Sequence, residues 1–179
     1  MEPTDKLARF EEVVLPHLGA AYNLARWLAR NHQDAEDVVQ EACLRAFRFF
    51  EGFHGGDGRA WLLTIVRNVY YSLVGRSPAP ELTTVFDEEM HSLPRDDFDP
   101  ERRALGRAES RQVQEAIEEL PREAREVLVL RELEDLSYRE IAEIVGIPIG
   151  TVMSRLARAR AALKTRLEHG PASPANEER

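Results

Sequence analysis

The sequence predicts an all-α protein: two small helical domains joined by a flexible acidic linker, the C-terminal domain carrying a helix-turn-helix. Three observations predict it. Apolar residues recur at three- and four-residue spacing through most of the chain, with no strand-like alternation of useful length. A proline- and acid-rich stretch, Ser77 to Glu101, interrupts that pattern near the middle. Beyond it a capping box, a glycine-containing turn and a basic helix follow in succession. A chain of 179 residues has room for two such domains. With 43% hydrophobic and 31% charged residues, a soluble folded protein is expected, not a disordered or membrane one. No apolar run approaches the ~20 residues of a membrane helix.

Taken in order, Leu7 to Ala29 places Phe10, Val14, Leu18, Ala21, Tyr22, Ala25 and Leu28 at helical spacing. Pro16 lacks the donor a helix interior needs, so it should kink this stretch or start a second helix. Asp34 to Phe50 reads as the next helix, with Asp34 a plausible N-cap. Gly52 to Gly58 is a glycine-rich loop, and Arg59 to Val74 a third long helix. After the linker come Ala104 to Leu120, Pro121 to Leu133, Ser137 to Val145 and Ile149 to Leu167, with Pro121 suited to a first helical position. The resulting division is a first domain over 8–76, a linker over 77–107, a second domain over 108–168 and a disordered tail over 169–179.

The net charge of −8 argues at first against nucleic acid, but it is unevenly placed. Glu81 to Glu101 holds eight acids against Arg95 alone, whereas Gly150 to Leu167 holds five basic residues and no acid. DNA would meet the second patch, not the average. Cys43 is the single cysteine, which excludes an internal disulfide and a multi-cysteine zinc site and reads as a packing residue. The five histidines lack metal-ligand spacing, and no glycine-rich phosphate loop precedes a helix, so neither catalysis nor a cofactor is expected. The N-terminus has no basic start followed by an apolar stretch, so no secretory signal is expected and the cytoplasm is the expected location.

Three surfaces carry chemistry. Ser137-Tyr138-Arg139-Glu140 is a capping box; Gly146-Ile147-Pro148 then breaks the helix and a new one follows at once, a helix-turn-helix arrangement. In that last helix Val152, Leu156, Ala157, Leu163 and Leu167 can pack inward, leaving Met153, Ser154, Arg155, Arg158, Arg160 and Lys164 outside for a major groove. In the helix from Asp34, Asp37, Gln40, Glu41, Leu44 and Arg48 fall on one side, a stripe open to plain solvation or to docking on a partner's arginines. Gly58 to Pro80 contains no acid and interleaves Arg59, Arg67 and Arg76 with Trp61, Asn68, Tyr70 and Tyr71, the ingredients for holding unpaired bases.

These residues resemble a known family. Asp34-Ala-Glu-Asp-Val-Val-Gln-Glu-Ala-Cys-Leu-Arg-Ala-Phe-Arg48 looks like the polymerase-binding helix of extracytoplasmic-function (ECF) sigma factors, and Arg59-Ala-Trp-Leu-Leu-Thr-Ile-Val-Arg-Asn68 resembles their promoter-melting helix. Leu120 to Arg131, Leu136 to Gly146 and Pro148 to Arg160 resemble their C-terminal domain. The likeness covers roughly residues 10–76 and 108–167. It implies a transcription initiation factor that reads −35 and −10 elements and nucleates strand opening. It also implies binding to the clamp helices and flap region of core RNA polymerase, to promoter DNA and to an anti-sigma factor, with no membrane insertion of its own. By the same resemblance Asp37, Gln40, Glu41 and Leu44 would dock on polymerase. Phe53, His54, Asp57, Arg67 and Asn68 would meet the −10 element, and Arg131, Thr151, Ser154, Arg155 and Arg158 the −35 element. Met153 occupies a slot often basic in the family. The competing expectation is a sigma-like decoy that binds an anti-sigma factor without DNA; such a decoy should lose the basic surface that Arg155, Arg158, Arg160 and Lys164 retain here.

Overall fold

A computed structural model describes residues 3–73 and 110–170, so the expected linker and the tail beyond residue 170 lie outside the described residues. Among the described residues there is no strand, and no helix is long and apolar enough to cross a membrane. The first half holds α1 (Pro3–Val14), α2 (Leu18–Ala29), α3 (His32–Phe49) and α4 (Gly58–Leu73). Pro16 acts as its chemistry requires: α1 ends in a single 3-10 turn, Leu15–His17, and α2 starts immediately after it.

The boundary between α2 and α3 differs from the expected one. Arg30 turns left-handed (φ 64°) and its N–H donates to the Arg26 carbonyl. Asn31 is then extended, and its side chain, not that of Asp34, accepts the first orphan N–H: Asp34 N donates to Asn31 Oδ1 at 2.8 Å. The Asp34 carboxylate instead receives the Asn31 amide at 2.7 Å, so the cap and its third residue brace each other. Ala21, Ala25, Ala35, Ala42 and Ala46 are fully buried among Leu24, Val38, Leu62, Leu63, Val66 and Val69. Small side chains at those positions let the helices of the first half approach closely.

The second half holds a helix at residues 110–118 (α5), α6 (Arg122–Leu128), α7 (Tyr138–Val145) and α8 (Ile149–His169). The single helix expected from Pro121 to Leu133 divides. Pro121 is the cap itself, one position before the helix, and after Leu128 the chain widens into a π turn, Val129–Leu133. The Glu134 N–H reaches back to Val129 O at 3.2 Å, five residues away, and Leu136 N to Leu130 O at 3.1 Å. The capping box forms as expected: Glu140 N donates to Ser137 Oγ (3.2 Å) and Ser137 N to Glu140 Oε2 (2.6 Å). Gly146 closes α7 at φ 74°, a left-handed conformation that favours glycine. α8 extends to His169, two residues beyond the expected end, which moves the tail's start as well. Its buried row is Val152, Leu156 and Ala159, with Leu163 half-buried. Ala157 and Leu167, expected inside, are exposed because the inward row advances by four and then three residues from Val152 and passes them by.

The two halves also meet. α2 lies against α6 and the π turn, and α4 against α7.

Candidate nucleic-acid interface

On α3, Asp37, Gln40, Leu44 and Arg48 are exposed, while Ala35, Val38, Ala42 and Ala46 on the other side are buried. Glu41 is half-buried and accepts from Arg45 Nε at 2.6 Å. Leu44 is 65% exposed, and Phe47 and Phe49 near it also reach the surface. Cys43 is half-buried on this helix, and burial pushes its thiol above the usual range, which fits an unreactive packing residue.

The loop 53–57 before α4 separates into two parts. Phe53 is half-buried, stacked on Phe50 (5.9 Å between centroids) and 4.8 Å from the Trp61 ring. His54, Gly55, Gly56 and Asp57 are exposed. Gly55 and Gly56 have φ values of 97° and 103°, conformations that a residue with a Cβ adopts only under strain. Asp57 Oδ1 accepts from Arg59 N at 2.9 Å and so caps α4. Along α4, Leu62, Val66, Val69 and Tyr70 are buried and Asn68 is exposed. Arg67 is half-buried, its guanidinium 4.6 Å from the Tyr71 ring.

On α8, Ser154 and Arg158 are exposed, Thr151 and Arg155 half-buried, and Met153 is 52% exposed. Ser154 Oγ donates to Thr151 O at 3.1 Å. Arg160 is engaged by Glu132: its Nε lies 2.9 Å from Oε1, and these hydrogen bonds hold the guanidinium above its ordinary pKa. Arg131 belongs to the π turn and not to α8. Its Nη1 donates to Leu136 O at 2.8 Å and its guanidinium lies 5.0 Å from the Tyr138 ring, holding the turn into α7.

Two acids that sequence reasoning did not single out bring these surfaces together. Glu126 of α6, its side chain fully buried, pairs with Arg67 Nε and accepts from Tyr71 Oη at 3.3 Å. Burial pushes the Glu126 carboxyl up, and the charge of Arg67, the hydrogen bonds from Arg67 and Tyr71 and the charge of Arg155 pull it back. The Tyr71 phenol is pushed up to about 12, first by burial and then by the Glu126 charge. Glu134, after the π turn, accepts from Asn23 Nδ2 at 2.6 Å and pairs with Arg59 Nη2 at 3.0 Å. Arg59 also donates to the Glu134 carbonyl.

Comparison with known proteins places both halves. Residues 13–77 match the model of Sigma-70 region 2, and residues 110–163 that of Sigma-70, region 4. The ECF RNA polymerase sigma-E factor of Haemophilus influenzae is 38% identical, covering 81% of this chain and 79% of its own. The ECF RNA polymerase sigma factor SigE of Mycolicibacterium smegmatis is 34% identical over 87% of this chain; the chain spans 60% of that relative's length. Among solved structures, the sigma factor RpoE of Bartonella quintana, crystallised with the anti-sigma factor NepR, superimposes with a TM-score of 0.67 at 26% identity. That match covers 90% of this chain and 98% of the other.

Proposed function

Because this chain belongs to the ECF RNA polymerase sigma factors, which bind core polymerase and direct it to promoters, we propose a division of that work among named residues. Asp37, Gln40, Glu41 and Leu44 on α3 dock on the clamp helices of the polymerase largest subunit. Leu44 supplies apolar contact and the acids supply partners for guanidinium groups. Asn68 and Arg67 on α4, with His54 and Asp57 in the loop before it, take up the −10 element as it opens. Phe53 supports that loop from behind through its stack on Phe50. Thr151, Ser154, Arg155 and Arg158 enter the −35 major groove, and Arg131 acts from the turn that positions α7.

The observation that carries this reading is a shared asymmetry of α4 and α8. Each buries one face and leaves Asn68, or Ser154 and Arg158, exposed on the other, in stretches that contain no acid. Cations and an amide without neighbouring repulsion suit phosphates and base edges. Bond formation belongs to the polymerase. The work takes place in the cytoplasm, where polymerase and promoter are, and an anti-sigma factor is a fitting regulator given the complex formed by the Bartonella relative.

Permanganate reactivity of unpaired thymines on a linear promoter tests the assignment of α4. Asn68→Ala, or replacement of loop 54–57, should leave core binding and duplex −35 binding near wild type and abolish strand opening. A pre-melted bubble template should partly restore transcription. If both variants open the duplex like wild type, the −10 assignment is wrong.

A further inference from the structure

We propose that Met153 of α8 reads thymine in the −35 element through its 5-methyl group, so that this helix selects bases by an apolar contact as well as by hydrogen bonds. The proposal rests on the placing of α8 in the major groove made above, and goes beyond it to the kind of base that the groove presents.

The exposed face of α8 is divided lengthwise. Ile149, Met153 and Ala157 follow one another at four-residue spacing, and all three are exposed, Ile149 to 46% and Met153 to 52%. Ser154 and Arg158 form a second exposed row one residue further on, polar where the first is apolar. Val152, Leu156 and Ala159 are buried, so the contacts that fix α8 leave both rows at the surface. Arg160, two turns beyond Met153 on the same side, is drawn to Glu132, its Nε 2.9 Å from Oε1. Met153 and Ala157 are left to define that side of the helix.

A recognition helix contacts base edges with the residues near its N-terminus, and Met153 lies in the second turn of α8. A helix roughly 10–12 Å across with its side chains fills a major groove about 12 Å wide, so both rows meet the groove floor. Ser154 and Arg158 exchange hydrogen bonds there. Met153 offers no donor, and its thioether is a weak acceptor. The apolar group that a base pair displays in the major groove is the thymine 5-methyl. Over cytosine, Met153 would instead cover the N4 amino donor without returning the hydrogen bond lost from water, a penalty added to the missing methyl.

The contact has its own chemical signature. Deoxyuridine replaces the methyl by hydrogen and keeps every hydrogen-bonding group of the pair, so it removes this contact and no other. Loss of one buried methyl weakens binding about fourfold. A phosphate contact would be indifferent to that change and would respond to salt instead. The long, polarisable Met side chain settles on a methyl without a second residue to place it, which suits a position that nothing else in α8 braces.

The full chain assembled with core RNA polymerase tests this on duplexes randomised over the −35 element. The enriched promoter is resynthesised with deoxyuridine in place of thymidine at one −35 position at a time, and the affinities are compared by competition. Enrichment should yield a thymine on one strand or the other, and wild type should bind the thymine form about fourfold more tightly than the uracil form at that position. Met153→Ala should bring this ratio to about one, and Met153→Leu should retain most of it. Arg158→Ala should weaken binding and leave the ratio intact. Helical content should stay unchanged in the Met153 variants, because the side chain is exposed. A wild-type ratio near one at every −35 thymine, or an unchanged ratio in Met153→Ala, overturns the methyl contact and leaves the groove assignment standing. Enrichment of no −35 sequence overturns the groove assignment and the methyl contact together.

Discussion

Gly58→Ala should destabilise the first half through contact with backbone, not through loss of any interaction. Gly58 is buried at the start of α4, and a Cβ there would lie 2.7 Å from Val13 Cγ1 and 2.9 Å from the Val13 carbonyl oxygen. The methyl is on a β-branched residue in a helix, where essentially one χ1 rotamer is available. The carbonyl belongs to α1 and moves only with it. Overpacking of this kind costs about 1–3 kcal/mol. Reduced freedom of the unfolded chain returns about 0.4–1 kcal/mol. Because backbone is one of the atoms met, the overpacking cost lies in the upper half of its range, about 2–3 kcal/mol, and a net loss of about 1–2.6 kcal/mol remains, which in a domain of this size lowers the midpoint by roughly 4–8 °C per kcal/mol. Trp27 and Trp61, the two tryptophans, both lie in the first half, so their fluorescence during urea or thermal unfolding reports on that half. In a double-mutant cycle, Val13→Ala removes the methyl contact and leaves the carbonyl one, so it should rescue Gly58→Ala in part only. A Gly58→Ala variant within about 0.5 kcal/mol of wild type would refute the close approach of α1 and α4.

Three further outcomes are expected. Arg158→Ala should weaken discrimination of matched from scrambled −35 DNA by about 1–3 kcal/mol if it reads a base edge. If it holds a phosphate, it should instead weaken all sequences alike and reduce the salt slope by about one; in either case titrations should show a larger effect than Arg160→Ala, whose guanidinium Glu132 already engages. Gln40→Ala with Glu41→Lys should reduce core-polymerase binding in sedimentation or pull-down while circular dichroism stays unchanged, since Gln40 is exposed and Glu41 is hydrogen-bonded to its own helix neighbour Arg45. The Tyr71 phenol should titrate near 12 by tyrosinate absorbance and fall only in part toward its ordinary value in Glu126→Gln, because burial is the larger cause and remains. A raised phenol pKa means that the folded form is favoured below pH 10 and loses that advantage as pH rises through 10 to 12, so stability should fall over that interval.

What the sequence reveals is what local rules encode. The apolar period along α2, α3, α4 and α8, the break at Pro16, the Ser137–Glu140 box and the exposure of Asp37, Gln40, Leu44, Asn68 and Arg158 each depend on residues within a turn or two of one another. Choice between equivalent local signals is harder. Asn31 and Asp34 are both good caps three residues apart, and the left-handed Arg30 decides between them, a conformation rare outside glycine. Phe53 reads as part of a glycine-rich loop, yet its ring is taken up by Phe50 and Trp61. Contacts between distant charges leave no periodic trace at all. Glu126 looks like one more acid on an amphipathic helix, and nothing near it in sequence announces Arg67, 59 residues away.

Run-off transcription with core RNA polymerase on a promoter library, with and without the full chain, addresses the function most directly. The chain should select a small set of promoters that core enzyme alone does not use, and those promoters should share a −35 and a −10 element at a fixed spacing. Transcripts independent of the added chain, or the same start sites on every template, would contradict it.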